Sequence, residues 1–297
     1  MSNLKRVCII LLLALNACSG GTPSLPSVFA SPTAVPPSAT PLPPTETPVP
    51  MAIKVNADGI TFDEFNAELA RYKSVYINMG KTISEPDALK TVQEDLVTQL
   101  LLSQGAAETG FTMDENALQQ RLDALITKIG GADKLAEWQK SHNYSPESFK
   151  ISLKLATAAA WMRDKISMST SNTAEQVHVR QILLYNEDVA KNYYSQLQAG
   201  ADFDKLAAQV DPITNGDIGW FPRGYISAKT VEDAAFALDV NAYSTIISSE
   251  VGFHIIKLLE RQPERELSPD ALSVIQTQAI NNWLITRRQQ STIVLAP

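Results

Sequence analysis

The distribution of proline constrains the fold of this chain more than any other feature. Ten of its 17 prolines fall in residues 19–50, interleaved with Ser, Thr and Ala, and Glu46 is the only charged residue in that stretch. Such a composition cannot bury a core and favours extended polyproline II backbone. Residues 18–50 are therefore predicted to be a disordered tether, with a reach on the order of 100 Å at ~3.1 Å per residue.

The amino terminus has the pattern of an export signal. Lys5 and Arg6 precede an apolar run, Val7 to Leu15, that is too short to span a bilayer after processing. The run leads into Leu15-Asn-Ala-Cys18, which resembles a bacterial lipobox. That resemblance implies a signal peptide over 1–17, acylation of Cys18, and an extracytoplasmic lipoprotein on the cell-surface or periplasmic side of the bacterial membrane. The alternative is an ordinary signal peptide with an incidental cysteine.

Charge and cysteine content argue against several functions. The formal charge of −7 becomes −9 if residues 1–17, with two basic residues and no acid, are removed, and a nucleic-acid surface needs clustered Lys and Arg instead. Cys8 and Cys18 are the only cysteines, so the folded region has no disulfide and no thiol nucleophile. Three scattered histidines have no zinc-binding spacing. We expect no metal and no cofactor.

Residues 51–170 have the apolar periodicity of a helical domain. A short strand and turn over 55–59 precede Thr61-Phe-Asp-Glu64, a capping box that opens a helix. Further helices are predicted over about 87–108, from the Thr112–Glu115 opening to Gly130, over about 132–141, and from Ser145 to about Ile166. Their apolar stripes are explained more simply by core packing than by cofactor ligands.

Residues 175–262 are predicted to be a separate α/β domain. Strands are expected over 177–184, at Trp220, around 245–248 and over 253–259, with helices over 187–197, 203–210 and 231–238. A final helix is predicted over 268–290, within a carboxyl-terminal segment of 266–292.

Three short sequences in this domain occur in a fixed order. They are Asn215-Gly-Asp-Ile-Gly-Trp-Phe-Pro-Arg-Gly224, Phe236-Ala-Leu238 and Gly252-Phe-His-Ile-Ile-Lys257. Together they resemble the parvulin family of peptidyl-prolyl cis-trans isomerases. The resemblance implies a four-stranded antiparallel sheet wrapped by helices.

A looser resemblance covers about 53–166, which is similar to the amino-terminal chaperone region of SurA- and PrsA-like foldases. In those proteins the carboxyl-terminal helix packs back on the chaperone region. The fold class expected is therefore α+β, with a mainly helical chaperone domain into which a parvulin-like domain is inserted.

The reaction of this family is rotation about an Xaa-Pro amide, which crosses a barrier of ~20 kcal/mol because it breaks amide resonance. No bond is made, so the site needs an apolar cup for the proline ring and a few polar groups. The resemblance implies that Ile218, Ile226, Val231 and Phe236 bind the substrate, with Val231 where an aromatic residue is usual.

The resemblance assigns the polar, catalytic floor to His254, Ser249 and Asp211. A further floor residue is normally a histidine, and here Gln181 takes its place. His178 does not replace it, because strand side chains alternate and residues 178 and 181 should face opposite sides. His178 is then a partly exposed strand histidine, and the structural alternative for His254 is a hydrogen-bonded core histidine.

These departures, together with a short 211–215 loop and Asn215 in place of a glycine, predict a retained fold with weakened or absent isomerase activity. The leading hypothesis is a lipid-anchored foldase that binds exported polypeptides and isomerises their Xaa-Pro bonds. The alternatives are a non-catalytic holdase with a degenerate parvulin domain, and an anchored structural protein. Expected partners are unfolded exported chains and the membrane through Cys18, with a homodimer also considered.

Overall fold

The computed structural model describes residues 49–296. The predicted signal peptide, Cys18 and almost all of the predicted tether lie outside the described residues. The described chain begins with a β-hairpin and five helices: β1 Met51–Val55, β2 Asp58–Thr61, α1 Phe62–Asn78, α2 Glu85–Glu108, α3 Glu115–Ile129, α4 Ala132–Ser141 and α5 Pro146–Met168. Among the helices of residues 49–296, none has the length and apolar character needed to cross a bilayer.

Side-chain caps determine where four of these five helices begin, α4 being the exception. The Thr61 hydroxyl accepts from the Glu64 N–H at 3.2 Å, and the Glu64 carboxylate accepts from the Thr61 N–H at 2.8 Å. The predicted capping box is confirmed. In α3 the cap is Asp114, whose carboxylate accepts from the Ala117 N–H at 2.8 Å. This helix therefore begins at Glu115, the last residue of its predicted opening.

The end of the chain returns to this helical region as α9 Pro269–Gln289 and β7 Ile293–Leu295. α9 packs against α2 and α5. Its Trp283 ring lies so close to Gly105 of α2 that a Cβ on Gly105 would be 2.5 Å from the ring. β7 pairs with β1 to give an antiparallel sheet of order β2-β1-β7. β7 is not predictable from the sequence, since its three residues are too few to show a period.

Between α5 and α9 the chain forms a second sheet, of order β4-β3-β6-β5, in which every neighbouring pair is antiparallel. Its elements are β3 Thr173–Leu184, α6 Glu187–Gln198, α7 Phe203–Val210, β4 Asp217–Pro222, α8 Lys229–Ala237, β5 Ile247–Ser249 and β6 Gly252–Glu266. We call these residues, 173–266, the sheet module. The strand predicted around 245–248 begins at Ile247.

Helices cover both faces of this sheet. Val177 and Val179 pack with α8 in one buried cluster, while Ile182 and Leu184 pack with α6 and α7 in another. Because side chains alternate along β3, Gln181 belongs to the α8 face. The predicted fold class is confirmed: the protein is α+β, with a four-stranded antiparallel sheet inserted between parts of a helical region.

Candidate functional site

A chain of three hydrogen-bonded side chains crosses the α8 face of the sheet. The Ser249 hydroxyl lies 2.7 Å from Nε2 of His254, and Nδ1 of His254 lies 3.1 Å from Oε1 of Gln181. The sheet register produces this order, because His254 stands on β6 between its partners Leu183 on β3 and Ile247 on β5. The structure thus brings together three of the four polar residues that the sequence assigned to the floor.

The three hydrogen-bonded side chains of Ser249, His254 and Gln181 carry no charge at neutral pH. His254 is only 4% exposed, and burial lowers the pKa of its imidazole. The Gln181 oxygen can only accept, so the ring donates from Nδ1 and its Nε2 accepts from the Ser249 hydroxyl. Gln181 uses its oxygen in this contact, so the donors of its side chain are its amide N–H groups.

The four predicted cup residues lie in one apolar cluster, but at different depths. Ile218 and Ile226 are half-buried, whereas Val231 and Phe236 are 2% and 4% exposed. Phe236 packs edge-on against Phe221, with ring centroids 6.1 Å apart. The surface that a ligand can touch is therefore formed by the two isoleucines, with Val231 and Phe236 supporting them from behind.

Asp211 does not join the hydrogen-bonded chain. Its carboxylate accepts from the N–H groups of Ile213 at 3.1 Å and Thr214 at 3.2 Å, and from the Thr214 hydroxyl. These bonds, that of the Thr214 side chain first, lower the pKa of Asp211. The loop nevertheless lies against the site, because Gly216 O accepts from the Gln181 N–H at 2.8 Å.

His178 stabilises the start of β4, the strand that carries Ile218. Its Nε2 lies 2.9 Å from the Asp217 carboxylate, which also accepts from the Gly219 N–H at 2.8 Å. Burial alone would raise the pKa of Asp217, but the hydrogen bonds from Gly219 and His178 outweigh it and lower that pKa. His178 lies between Val177 and Val179, whose side chains are in the α8 cluster, and it stacks on Trp220 outside that cluster. The prediction that His178 and Gln181 face opposite sides is therefore confirmed.

Two charged residues that support the cup were missed in the sequence. The Glu232 carboxylate, 5% exposed, accepts from the N–H groups of the loop that carries Ile226. Arg261 donates to the carbonyls of Phe236 at 2.9 Å and Leu238 at 2.8 Å, at the end of α8. One signal was present: positions 231, 232, 235 and 236 form a helical stripe, so Glu232 falls on the buried face.

A cavity of about 330 Å³ opens beside the hydrogen-bonded Ser249 and is lined by residues 227–230 and 248–251. Ser249 belongs to both the cavity and the hydrogen-bonded chain, so a ligand in this cavity would contact Ser249, whose hydroxyl lies 2.7 Å from Nε2 of His254. Within residues 49–296 no group of His, Cys, Asp and Glu side chains has a metal-binding arrangement.

Residues 184–260 match the family model of the PPIC-type PPIASE domain, called Rotamase. The match contains His254, Ser249 and the apolar cup, and begins just after Gln181.

Similar proteins include a Foldase protein PrsA of Geobacillus kaustophilus, 27% identical over 60% of this chain and 65% of the relative. This match therefore spans slightly less than two thirds of that relative. A Foldase protein PrsA of Clostridium kluyveri is 24% identical over 81% of this chain and 89% of its own length. A Parvulin-like PPIase of Rickettsia typhi is 30% identical over 63% of this chain and 66% of its own.

Similar solved structures include PrsA from Bacillus cereus, 24% identical with a TM-score of 0.42, covering 71% of this chain and 83% of that one. The parvulin of Nitrosopumilus maritimus is 34% identical with a TM-score of 0.26, over 31% of this chain and 100% of that one.

Proposed function

We propose that the chain is a foldase that binds exported polypeptides and isomerises their Xaa-Pro bonds, on the premise that residues 184–260 match the model of the PPIC-type PPIase domain family. The observation that carries the proposal is the Ser249–His254–Gln181 chain beside the exposed edges of Ile218 and Ile226. In this site the isoleucines hold the proline ring. The neutral polar chain then favours the twisted amide over the planar one.

The experiment is a cis-to-trans rate measurement on a prolyl tetrapeptide with the full chain. A rate above that of buffer supports the enzyme, and a rate equal to buffer overturns the catalytic part of the proposal. Gln181→His then tests what limits the activity. A gain in kcat/KM assigns the limit to residue 181, whereas no gain assigns it to the short 211–215 loop and to Val231.

A second candidate function is a holdase, and the helical region favours it. A mainly apolar cavity of about 370 Å³ lies between α2 and α5, with Ile60, Leu100 and Leu155 in its lining. In this alternative the sheet module is a scaffold, and clients bind the helical region. Suppressed aggregation of an unfolded client with no isomerase activity, unchanged in Gln181→Ala and Ser249→Ala, would select the holdase.

We also propose that Cys18 anchors the protein to the extracytoplasmic face of a bacterial membrane. The lipobox-like Leu15-Asn-Ala-Cys18 and the proline-rich sequence after it, in which Glu46 is the only charged residue, support this proposal. The test is incorporation of a labelled fatty acid in a bacterial host. Label is expected in the wild type and in Cys8→Ala but not in Cys18→Ala, and equal labelling of both variants would contradict it. The division into domains of 51–170, 175–262 and 266–292, and the homodimer, stay predictions.

A further inference from the structure

The loop that carries Ile226 is held from inside the sheet module through Gly224. Both carboxylate oxygens of Glu232 lie 2.8 Å from the Gly224 N, and one of them accepts from the Ile226 N–H at 3.2 Å. The carboxylate is buried. Two backbone donors therefore fix one side of the loop, and the half-buried Ile226 of the cup lies at its end.

Gly224 is also held from outside the module, by α9. The Gln278 side-chain amide donates to the Gly224 carbonyl, across 54 residues of sequence. Gly224 has a φ of +84°, and a Cβ there would overlap the Gln278 carboxamide. Only glycine combines this backbone conformation with such a close approach.

Gln278 reaches the loop from a helix that is anchored in the helical region. Trp283 packs on Gly105, and Arg288 donates to the Thr98 hydroxyl at 3.0 Å. The neighbouring Gln276 donates to the Ser167 carbonyl of α5 at 3.3 Å. The contacts that hold α9, and with it Gln278, are therefore made with helices outside the sheet module.

We propose that Gln278 is a positioning residue for the isomerase site: through Gly224 it sets where Ile226 stands relative to His254. The cup then has its full affinity for proline only while α9 is docked on the module. This inference rests on the proposed function, because it takes Ile226 as a residue that contacts the proline ring. It assigns to the helical region a direct part in the proline affinity of the sheet module.

The test compares two glutamine variants of the full chain that each lose one amide hydrogen bond from α9. Gln278→Ala loses the bond to Gly224, and Gln276→Ala loses the bond to Ser167. Amide hydrogen exchange at Gly224 and Ile226 reports the loop, and titration with a prolyl tetrapeptide gives Kd. In Gln278→Ala we expect exchange at both amides and Kd to rise by about threefold to tenfold, as for the loss of one hydrogen bond. In Gln276→Ala both should stay within about twofold.

An unchanged exchange rate at Gly224 and Ile226 in Gln278→Ala overturns the proposal. Equal increases of the exchange rate in Gln278→Ala and Gln276→Ala also overturn it, because they would indicate general loosening of α9. Faster exchange in Gln278→Ala with an unchanged Kd overturns the link to proline binding. If exchange accelerates only in Gln278→Ala and even the wild type binds no prolyl peptide, the positioning role stands. The proposed function is then the part that fails.

Discussion

The side-chain oxygen of Gln181 accepts a hydrogen bond from Nδ1 of the buried His254 at 3.1 Å. A histidine is usual at the position of Gln181 in the family that the sequence resembles, and the glutamine found here accepts the hydrogen bond from His254 without a titratable ring. The site is therefore intact as a polar network but has one imidazole in place of two.

Replacing Gln181 with alanine should destabilise the protein. The change removes the oxygen that accepts a hydrogen bond from Nδ1 of His254. Because His254 is only 4% exposed, the unpaired N–H costs about 1–3 kcal/mol of unfolding free energy. Urea denaturation of the full chain measures this. The control is Gln196→Ala on the exposed side of α6, for which we expect a change within about 0.5 kcal/mol. Equal losses in the two variants would show that water replaces the Gln181 oxygen.

Replacing Ile226 with alanine should weaken the binding of a prolyl tetrapeptide. Part of the apolar wall disappears, and about 1–2 kcal/mol of lost contact corresponds to a Kd increase of roughly tenfold. The matched control is Ile213→Ala in the adjacent loop, where the side chain is 91% exposed. Titration followed by tryptophan fluorescence or NMR gives both constants, and the same Kd in both variants would remove Ile226 from the cup.

The pKa of His254 makes stability depend on pH in a defined direction. Because burial lowers this pKa in the folded protein, the unfolded chain binds a proton first as the pH falls. The stabilisation is complete above the unfolded value of about 6.5 and is lost as the pH decreases below it.

Unfolding free energy measured by urea at several pH values should decline from about pH 6.5 downward in the wild type and in the exposed control His142→Gln. In His254→Gln this part of the decline should be absent. Asp211 and Asp217 also have lowered pKa values, but their contribution is lost only below about pH 4. An identical pH dependence in His254→Gln and His142→Gln would contradict the assignment.

Gly105→Ala tests the packing of α9 on α2. In an open helix this change adds about 1 kcal/mol of stability, but here the new Cβ would meet the Trp283 ring at 2.5 Å. We expect a net loss of about 1–3 kcal/mol from overpacking, measured by urea denaturation. In a Trp283→Leu background the same change should cost less. An equal cost in both backgrounds would show that the ring does not restrict Gly105.

Local patterns predicted much of the fold. The Thr61–Glu64 capping box, the helix over 132–141 and the opposite orientation of His178 and Gln181 depend on residues two to four positions apart, and the structure confirms them. The three short sequences that contain Asp217, Phe236 and His254, through their resemblance to a known family, likewise indicated the four-stranded sheet.

Contacts between distant residues were decided by the tertiary structure alone. Gln278 donates a hydrogen bond to Gly224, 54 residues away in sequence, and β7 pairs with β1 from the opposite end of the described chain. Asp211 was assigned to the polar floor, yet its carboxylate is bonded within its own loop.

The sequence by itself determined most of the helices and strands, because periodicity, caps and short motifs act over a few neighbouring residues. Its resemblance to a known family supplied the candidate residues of a proline site. Only the tertiary structure decided which of those residues meet. Hydrogen bonds such as Ser249–His254–Gln181 and Glu232–Gly224 form when strand register and helix packing bring the partners within about 3 Å. No local pattern encodes that distance.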